Sequence, residues 1–307
     1  MRSVFHEGER EVQQRAGVAR MAERLANAIH SSLPEAAQDF LQEQPMAILA
    51  SADAQGAVWS SLAWGEPGFM QAIDARTVWI DADPLPGDPL ARNLHTSEAM
   101  KKGIDVGLVA VELETRSRIR VNGRAKLRAE GGFELHVEQA YGNCPKYIQT
   151  RMLISDPKAH AVASVTQHEA QLDGEQQAWI ARSDAFFIAS VHPKGGADSS
   201  HRGGLPGFIQ VLDARSLAFP DYAGNNMFNT LGNLAVHPNA GLLFVDFETG
   251  ATLQLTGKAQ ILWEKEQIAR FPGAQRAVHF DIESVLQTDN AVPLRWRLEQ
   301  YSPFNPR

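Results

Sequence analysis

Apolar runs of about seven residues, each leading to a turn, recur along the chain and predict β-strands. Met46–Ala52 (MAILASA) and Phe186–His192 (FFIASVH) are two such runs, followed by turn glycines at Gly56 and Gly195. TVWIDA and SLAFPD each follow a DAR turn, and VGLVAVEL and GLLFVDF are β-rich. Ser117–Leu127 and Ala251–Ile261 alternate apolar and polar residues, the period of a half-buried strand. A helical rhythm appears in Glu9–Ile29, with Val12, Ala16, Met21, Leu25 and Ile29 near a 3.6-residue spacing. Ser32–Glu35 reads as a capping box opening a helix towards Phe40 and Leu41. Phe133–Ile154 and Pro157–Val165 are predicted helical.

These elements occur twice. Ile48–Ile80 matches Phe187–Phe219, sharing AS, a turn glycine, SS, PGF and DAR at equivalent positions. The match resumes from Val106 against Ala240 and from Asn122 against Thr256, at a slightly smaller offset, so the first copy carries an insertion, expected in the loop Asp83–Asp88 (DPLPGD). Each copy offers five or six strands and one short helix, a set that closes into a small barrel because closure removes exposed edges. The expected organisation is a helical segment over 1–45, a first barrel over 46–130, a helical linker over 131–180 and a second barrel over 181–307.

Composition narrows the function classes. A formal charge of −7, with Lys and Arg scattered, gives no reason to expect nucleic acid. Cys144 is the single cysteine, so an intrachain disulfide is impossible and a cysteine zinc site is not expected. The ten histidines show no tight metal-ligand spacing, and no metal is expected. No apolar stretch approaches a membrane span and the opening residues are polar, so no membrane association and a cytoplasmic location are expected.

The segments SSHRGGLPGF, FPDYAGNNMFNTLGNL and GLLFVDFETGATLQLTGKA resemble the FMN-binding barrel of the pyridoxamine 5′-phosphate oxidase-like split-barrel family. YGNCPKYIQ and FHEGEREVQQRAG resemble a tandem-barrel branch of it. The resemblance implies a mainly β (α+β) chain whose two tandem split barrels form a pseudo-dimer, with FMN in the groove between them. FMN phosphate is a dianion that favours guanidinium groups, hydroxyls and a helix start. The second copy offers Ser200 and Arg202 on a strand, and Asn226, Asn229 and Thr230 where a short helix begins. The asparagines equally suit helix capping. The helix-start segment GNNMFNTLGN lacks the cation the family often carries there. The first copy has SSLAWG in place of SSHRGG, with Leu62 and Ala63 for His201 and Arg202, so one flavin per chain is expected.

By the same resemblance Thr252 and Gln254, two residues apart on one strand face, would meet the flavin ring. Trp296 or Arg297 in the terminal LRWRL would touch it too; the alternative packs Trp296 inward. Tyr147, Arg151 and Ser155, spaced four apart, resemble a substrate-phosphate grip, if that segment is helical. The Arg-x-His pair of true oxidases is absent: the chain has Arg295-Trp-Arg297. The leading expectation is an FMN-dependent oxidoreductase with a small-molecule substrate and a separate electron donor or acceptor, pairing as a homodimer where strand edges allow it. The alternatives are a non-catalytic flavin or haem carrier, and a barrel that has lost its ligand.

Overall fold

The computed structural model describes residues 4–85, 87–154 and 163–306. Ahead of the first barrel lie helices α1 (Glu7–Arg15), α2 (Ala19–Leu25) and α3 (Glu35–Glu43). The barrel itself comprises β1 (Met46–Ala52), β2 (Val58–Trp64), β3 (Met70–Asp74), β4 (Thr77–Ile80), helices α4 (Pro89–Leu94) and α5 (Ser97–Lys102), then β5 (Ile104–Glu112), β6 (Ser117–Leu127) and β7 (Phe133–Gly142). Between the barrels come β8 (Thr150–Ile154), β9 (Ser164–Glu169) and α6 (Gly174–Arg182). The second barrel has β10 (Ala185–His192), β11 (Gly196–Gly203), β12 (Gln210–Asp213), β13 (Ser216–Asp221), α7 (Asn229–Val236), β14 (Asn239–Val245), β15 (Thr252–Leu262), α8 (Lys265–Ile268) and β16 (Arg276–Asp289). Strand β17 (Arg295–Gln300) pairs with β8 in a separate two-stranded ribbon.

The duplication extends to topology. One sheet runs β2-β1-β5-β6-β7-β4-β3 and the other β11-β10-β14-β15-β16-β13-β12, all antiparallel, with β9 added beside β16. Even the bulges recur, at Asn122/Gly123 in β6 and Thr256/Gly257 in β15. Each barrel encloses its own apolar core, around Leu108, Val121 and Phe133 in the first and Leu242, Phe244 and Phe280 in the second. Met46, Ile48, Val109, Phe187, Leu243 and Trp296 form a third core between the barrels. The seam is close enough to require glycine: a Cβ on Gly107 would lie 2.7 Å from the Asp198 Cα, and one on the matched Gly241 2.8 Å from the Trp59 Cα.

Four expectations are corrected. The segment 131–180 is not a helical linker: Phe133–Gly142 is β7, pairing β6 and β4, because alternate residues Phe133, Leu135 and Val137 are buried in the barrel. Residues 155–162 of that segment lie outside the described residues, and α6 is its one described helix. The helical stripe of Glu9–Ile29 breaks at Gly17 into α1 and α2. Helix α3 starts from Pro34 with no side-chain cap, so Ser32–Glu35 makes no capping box. The insertion is α5, since α4 and α7 match and the copies diverge only after them. Among the described residues no helix is long and apolar enough to cross a membrane.

Candidate functional site

On one side of the seam the barrels leave a cleft of about 790 Å³, counting the part open to solvent. Strand β6 of the first barrel brings Arg118 and Arg120 to it; the second barrel brings Arg202 from β11, Asp221 from the end of β13, and Asn229 and Thr230 from the first turn of α7. Lys146, Tyr147, Tyr222, Phe208 and Phe228 complete the walls.

The cleft carries more positive than negative charge. Arg118, Arg120, Lys146 and Arg202 line it against one carboxylate, Asp221. Asp221 is already shared, accepting from Arg202 at 2.8 Å and from Arg276 at 2.9 and 2.7 Å. Arg120 approaches the buried Asp198 at 3.5 Å, donates to Asn229 Oδ1 at 3.3 Å and reaches the Ser200 hydroxyl. Arg118 meets no carboxylate among the described residues; it contacts His201 Nδ1 at 3.1 Å and donates to the Cys144 carbonyl at 2.7 Å. Burial, then repulsion from Arg120 and Arg202, pushes the Arg118 pKa down to about 9. Since a guanidinium stays charged at neutral pH, an anion entering the cleft would relieve that strain. Among the described residues, the buried Nε atoms of Arg118, Arg120 and Arg202 find no hydrogen-bond partner. Helix α7 adds to this field. Its N-cap, Phe228, is left-handed and supplies no side-chain cap, so the positive end of the helix lines the cleft uncapped.

With Arg118 donating to Nδ1, the His201 proton sits on Nε2. Burial and the four neighbouring arginines hold its pKa well below the usual histidine range, so the ring is neutral.

The matched groove across the seam has the same framework and is closed. Asn93 donates to Ser51 at 2.9 Å where Asn233 donates to Ser190 at 3.0 Å. Gln254 contacts Ser61 at 3.5 Å in the place where Arg120 contacts Ser200. Asp88 occupies the N-cap of α4, the position Phe228 holds at α7. Its carboxylate accepts from the Leu90 N–H at 2.8 Å, the Ser61 hydroxyl at 2.6 Å and the Gln254 amide at 3.0 Å. Burial raises its pKa to about 6 against those bonds. An internal carboxylate thus sits at the helix start that the other groove leaves uncapped.

The predicted residues are divided by this arrangement. Arg202, Asn226, Asn229 and Thr230 line the cleft, with Ser200 buried behind Arg120. The asparagines do not cap α7: Asn229 bonds Glu9 and Arg120, and Asn226 donates towards the Met21 sulfur. Gln254 is corrected to the closed groove, and Thr252 lies buried beside it on β15, because each barrel's long strand faces the other barrel's site. Trp296 packs edge-on against Phe247 in the seam, and Arg297 is exposed beside Glu299; neither lines the cleft. Tyr147 lines it, but from a non-helical connection, while Arg151 on β8 is bound by both Asp184 oxygens at 2.5 and 2.7 Å. The four-residue spacing therefore does not gather them, and Ser155 lies outside the described residues.

Sequence reasoning missed Arg118 and Arg120. They share the polar face of an alternating strand, which its period marks as half-buried without saying what that face meets. The signal lay in the repeat, where Arg118 and Arg120 stand opposite Thr252 and Gln254. They bring cations to the cleft beside a helix-start segment that has none of its own. Among the described residues His6, Glu7 and His192 form the one group with metal-ligand proximity. Both rings accept backbone N–H groups at Nδ1 (Gly8 to His6, Lys194 to His192), which places their protons on Nε2, the nitrogens that face Asn233 and Glu7. That arrangement is a satisfied hydrogen-bond set and does not prepare a metal site.

A family model described as pyridoxamine 5′-phosphate oxidase matches residues 33–167 and again 172–294. Among solved structures, HupZ of group A Streptococcus is 16% identical, covering 37% of this chain and 91% of its own, with a TM-score of 0.31. A Clostridium acetobutylicum protein related to general stress protein 26, of the pyridoxinephosphate oxidase family, is 16% identical over 40% of this chain and 92% of its own, at 0.29. A FAD-binding protein from Mesorhizobium loti is 11% identical over 40% of this chain and 99% of its own, at 0.29. No curated protein matches the chain.

Proposed function

The chain belongs to the pyridoxamine 5′-phosphate oxidase family, and on that premise we propose that it binds one flavin mononucleotide per chain, in the cleft between its barrels. The observation that carries this reading is the convergence of Arg118, Arg120 and Arg202 on an uncapped helix start, with Arg118 lacking any acidic partner among the described residues. That donor set suits a phosphate dianion, which takes charge-assisted bonds from guanidinium and helix N–H groups. Unpartnered buried Nε atoms on all three arginines fit the same group. Tyr147, Tyr222, Phe208 and Phe228 supply aromatic wall for a planar ring. The closed groove, where Asp88 holds the helix start and Ala63 replaces Arg202, supports a stoichiometry of one.

Bound FMN would supply hydride or electron transfer. The chain's own residues bind and orient. The arginines and α7 neutralise the phosphate end, and the apolar seam excludes water behind it. His201 stays neutral and offers no proton carrier near pH 7. The cleft is open on one side, which leaves room for a small-molecule reductant or oxidant, and the oxidoreductase reading rests on that opening.

An absorption spectrum of the purified protein tests this reading. Flavin bands in the blue region of the visible are expected, and their loss in Arg202→Ala and Arg118→Ala variants. A Soret band, or a protein that stays colourless and leaves FMN fluorescence unchanged on titration, would overturn it.

A further inference from the structure

The N-terminal helix reaches the same site from outside both barrels. Helices α1 and α7 cross at backbone contact: a Cβ on Gly8 would lie 2.2 Å from the Gly232 carbonyl oxygen, and one on Gly232 2.5 Å from the Glu9 side chain. This places the buried Glu9 against the first turn of α7. One Glu9 oxygen accepts the His6 N–H at 2.8 Å, closing the α1 capping box, and the other accepts the Asn229 amide at 2.6 Å. The far end of that amide, Asn229 Oδ1, accepts from Arg120 at 3.3 Å. Glu9, Asn229 and Arg120 therefore form a line from the N-terminal helix to the cleft.

We propose that Glu9 is a positioning residue for the cleft anion, acting through Asn229: while Glu9 is ionised, the Asn229 oxygen is turned to Arg120, and when Glu9 is protonated the carboxamide turns over and presents its N–H₂ beside Arg120 as a further donor to the anion. The inference deepens the flavin reading and rests on it for the ligand. The geometry follows from the donor inventory. Ionised Glu9 only accepts, so it holds the amide nitrogen; a protonated Glu9 that donates to Asn229 takes the amide oxygen, and Arg120, which only donates, then exchanges that oxygen for the anion. Protonation falls in the useful range, since burial lifts the Glu9 pKa to about 7 despite its two hydrogen bonds. The groups that face Glu9 are His6 at its own helix cap, Asn229 on α7, Asp198 on β11 and Tyr141 on β7, with Arg120 on β6 beyond Asn229. Of these, Asp198 adds to the upward push. A phosphate beside Arg120 would add further negative charge, so anion binding and proton uptake at Glu9 favour each other.

Two measurements test this. In the ligand-free full-length protein, the Asn229 side-chain amide NMR resonances should shift as pH passes through about 7, and the shift should vanish in Glu9→Gln; a flat profile, or an unchanged one in Glu9→Gln, overturns the inference whatever the ligand. In FMN titrations between pH 6 and 8, wild-type affinity should fall several-fold more than that of Glu9→Gln, because the ligand's own ionisation is common to both proteins. Parallel pH profiles overturn the inference. Absence of FMN binding in both proteins defeats the flavin reading, and the NMR profile then decides the inference by itself.

Discussion

Arg118 is a guanidinium with a histidine and a carbonyl for company, held between Arg120 and Arg202. Arg118→Ala should weaken FMN binding by about ten- to a hundredfold, the worth of a charged hydrogen bond, and leave thermal stability unchanged or higher because a repulsion is removed. Calorimetric titration with a melting curve checks both. Arg120→Ala should instead cost about 3 kcal/mol of stability, since it leaves the buried Asp198 without its cation and held only by the Thr230 and Tyr141 hydroxyls, which denaturant unfolding would report. Glu9 carries a pH signature of its own. Its folded pKa is raised above the ordinary 4.5 to about 7, so the fold binds a proton that the unfolded chain gives up. Its contribution is fully present below about pH 4.5, falls as pH rises, and is fully lost above about pH 7. The gap in Tm between pH 5 and pH 8 should therefore shrink in Glu9→Gln, and an equal gap would count against a buried ionised Glu9. At this scale Arg202, Asn229 and Thr230 came from the family resemblance of SSHRGG and GNNMFNTLGN, and the fold brings all three to one cleft. Arg118 was not legible, because alternation alone does not say what a strand's polar face meets, and here that face meets the other barrel.

Helices α4 and α7 show how one element can diverge after duplication. Both begin after the DAR hairpin and both anchor an asparagine on a serine of the neighbouring strand, yet one is capped by Asp88 and the other begins from Phe228. Asp88→Ala should destabilise the first barrel by about 2–3 kcal/mol, combining a lost N-cap with Ser61 and Gln254 left short of a partner, and chemical denaturation would measure it. The strands were largely legible, since MAILASA and FFIASVH are continuous apolar runs that the fold buries almost throughout, and the long pair alternates apolar and polar residues in sequence. Phe133–Gly142 was misread because Glu134, Glu138 and Gln139 favour helix locally, while pairing with β6 and β4 decides the outcome. Tyr147 and Arg151 looked helical by spacing alone, and nothing in that spacing excludes the β8–β17 ribbon.

As a whole the molecule is a pseudo-dimer whose two halves meet through matched glycines and a shared apolar seam. Gly107→Ala or Gly241→Ala should force the barrels apart and lower stability by about 1–3 kcal/mol or more, visible as a drop in Tm, because the new methyl would meet backbone that has no rotamer to yield. The repeat made two barrels legible, and the missing Arg202 equivalent is the sequence ground for proposing one site in place of two. The crossing of each long strand to its neighbour's site was not legible, since a single chain's repeat does not say whether a strand serves its own barrel or the other.

Equilibrium dialysis of the purified chain against FMN tests that asymmetry most directly. One FMN per chain is expected, reduced by at least tenfold in affinity in Arg118→Ala and unaffected in Gln254→Ala, which alters only the closed groove. Two equivalents per chain, none, or a loss that follows Gln254 and spares Arg118 would contradict the account.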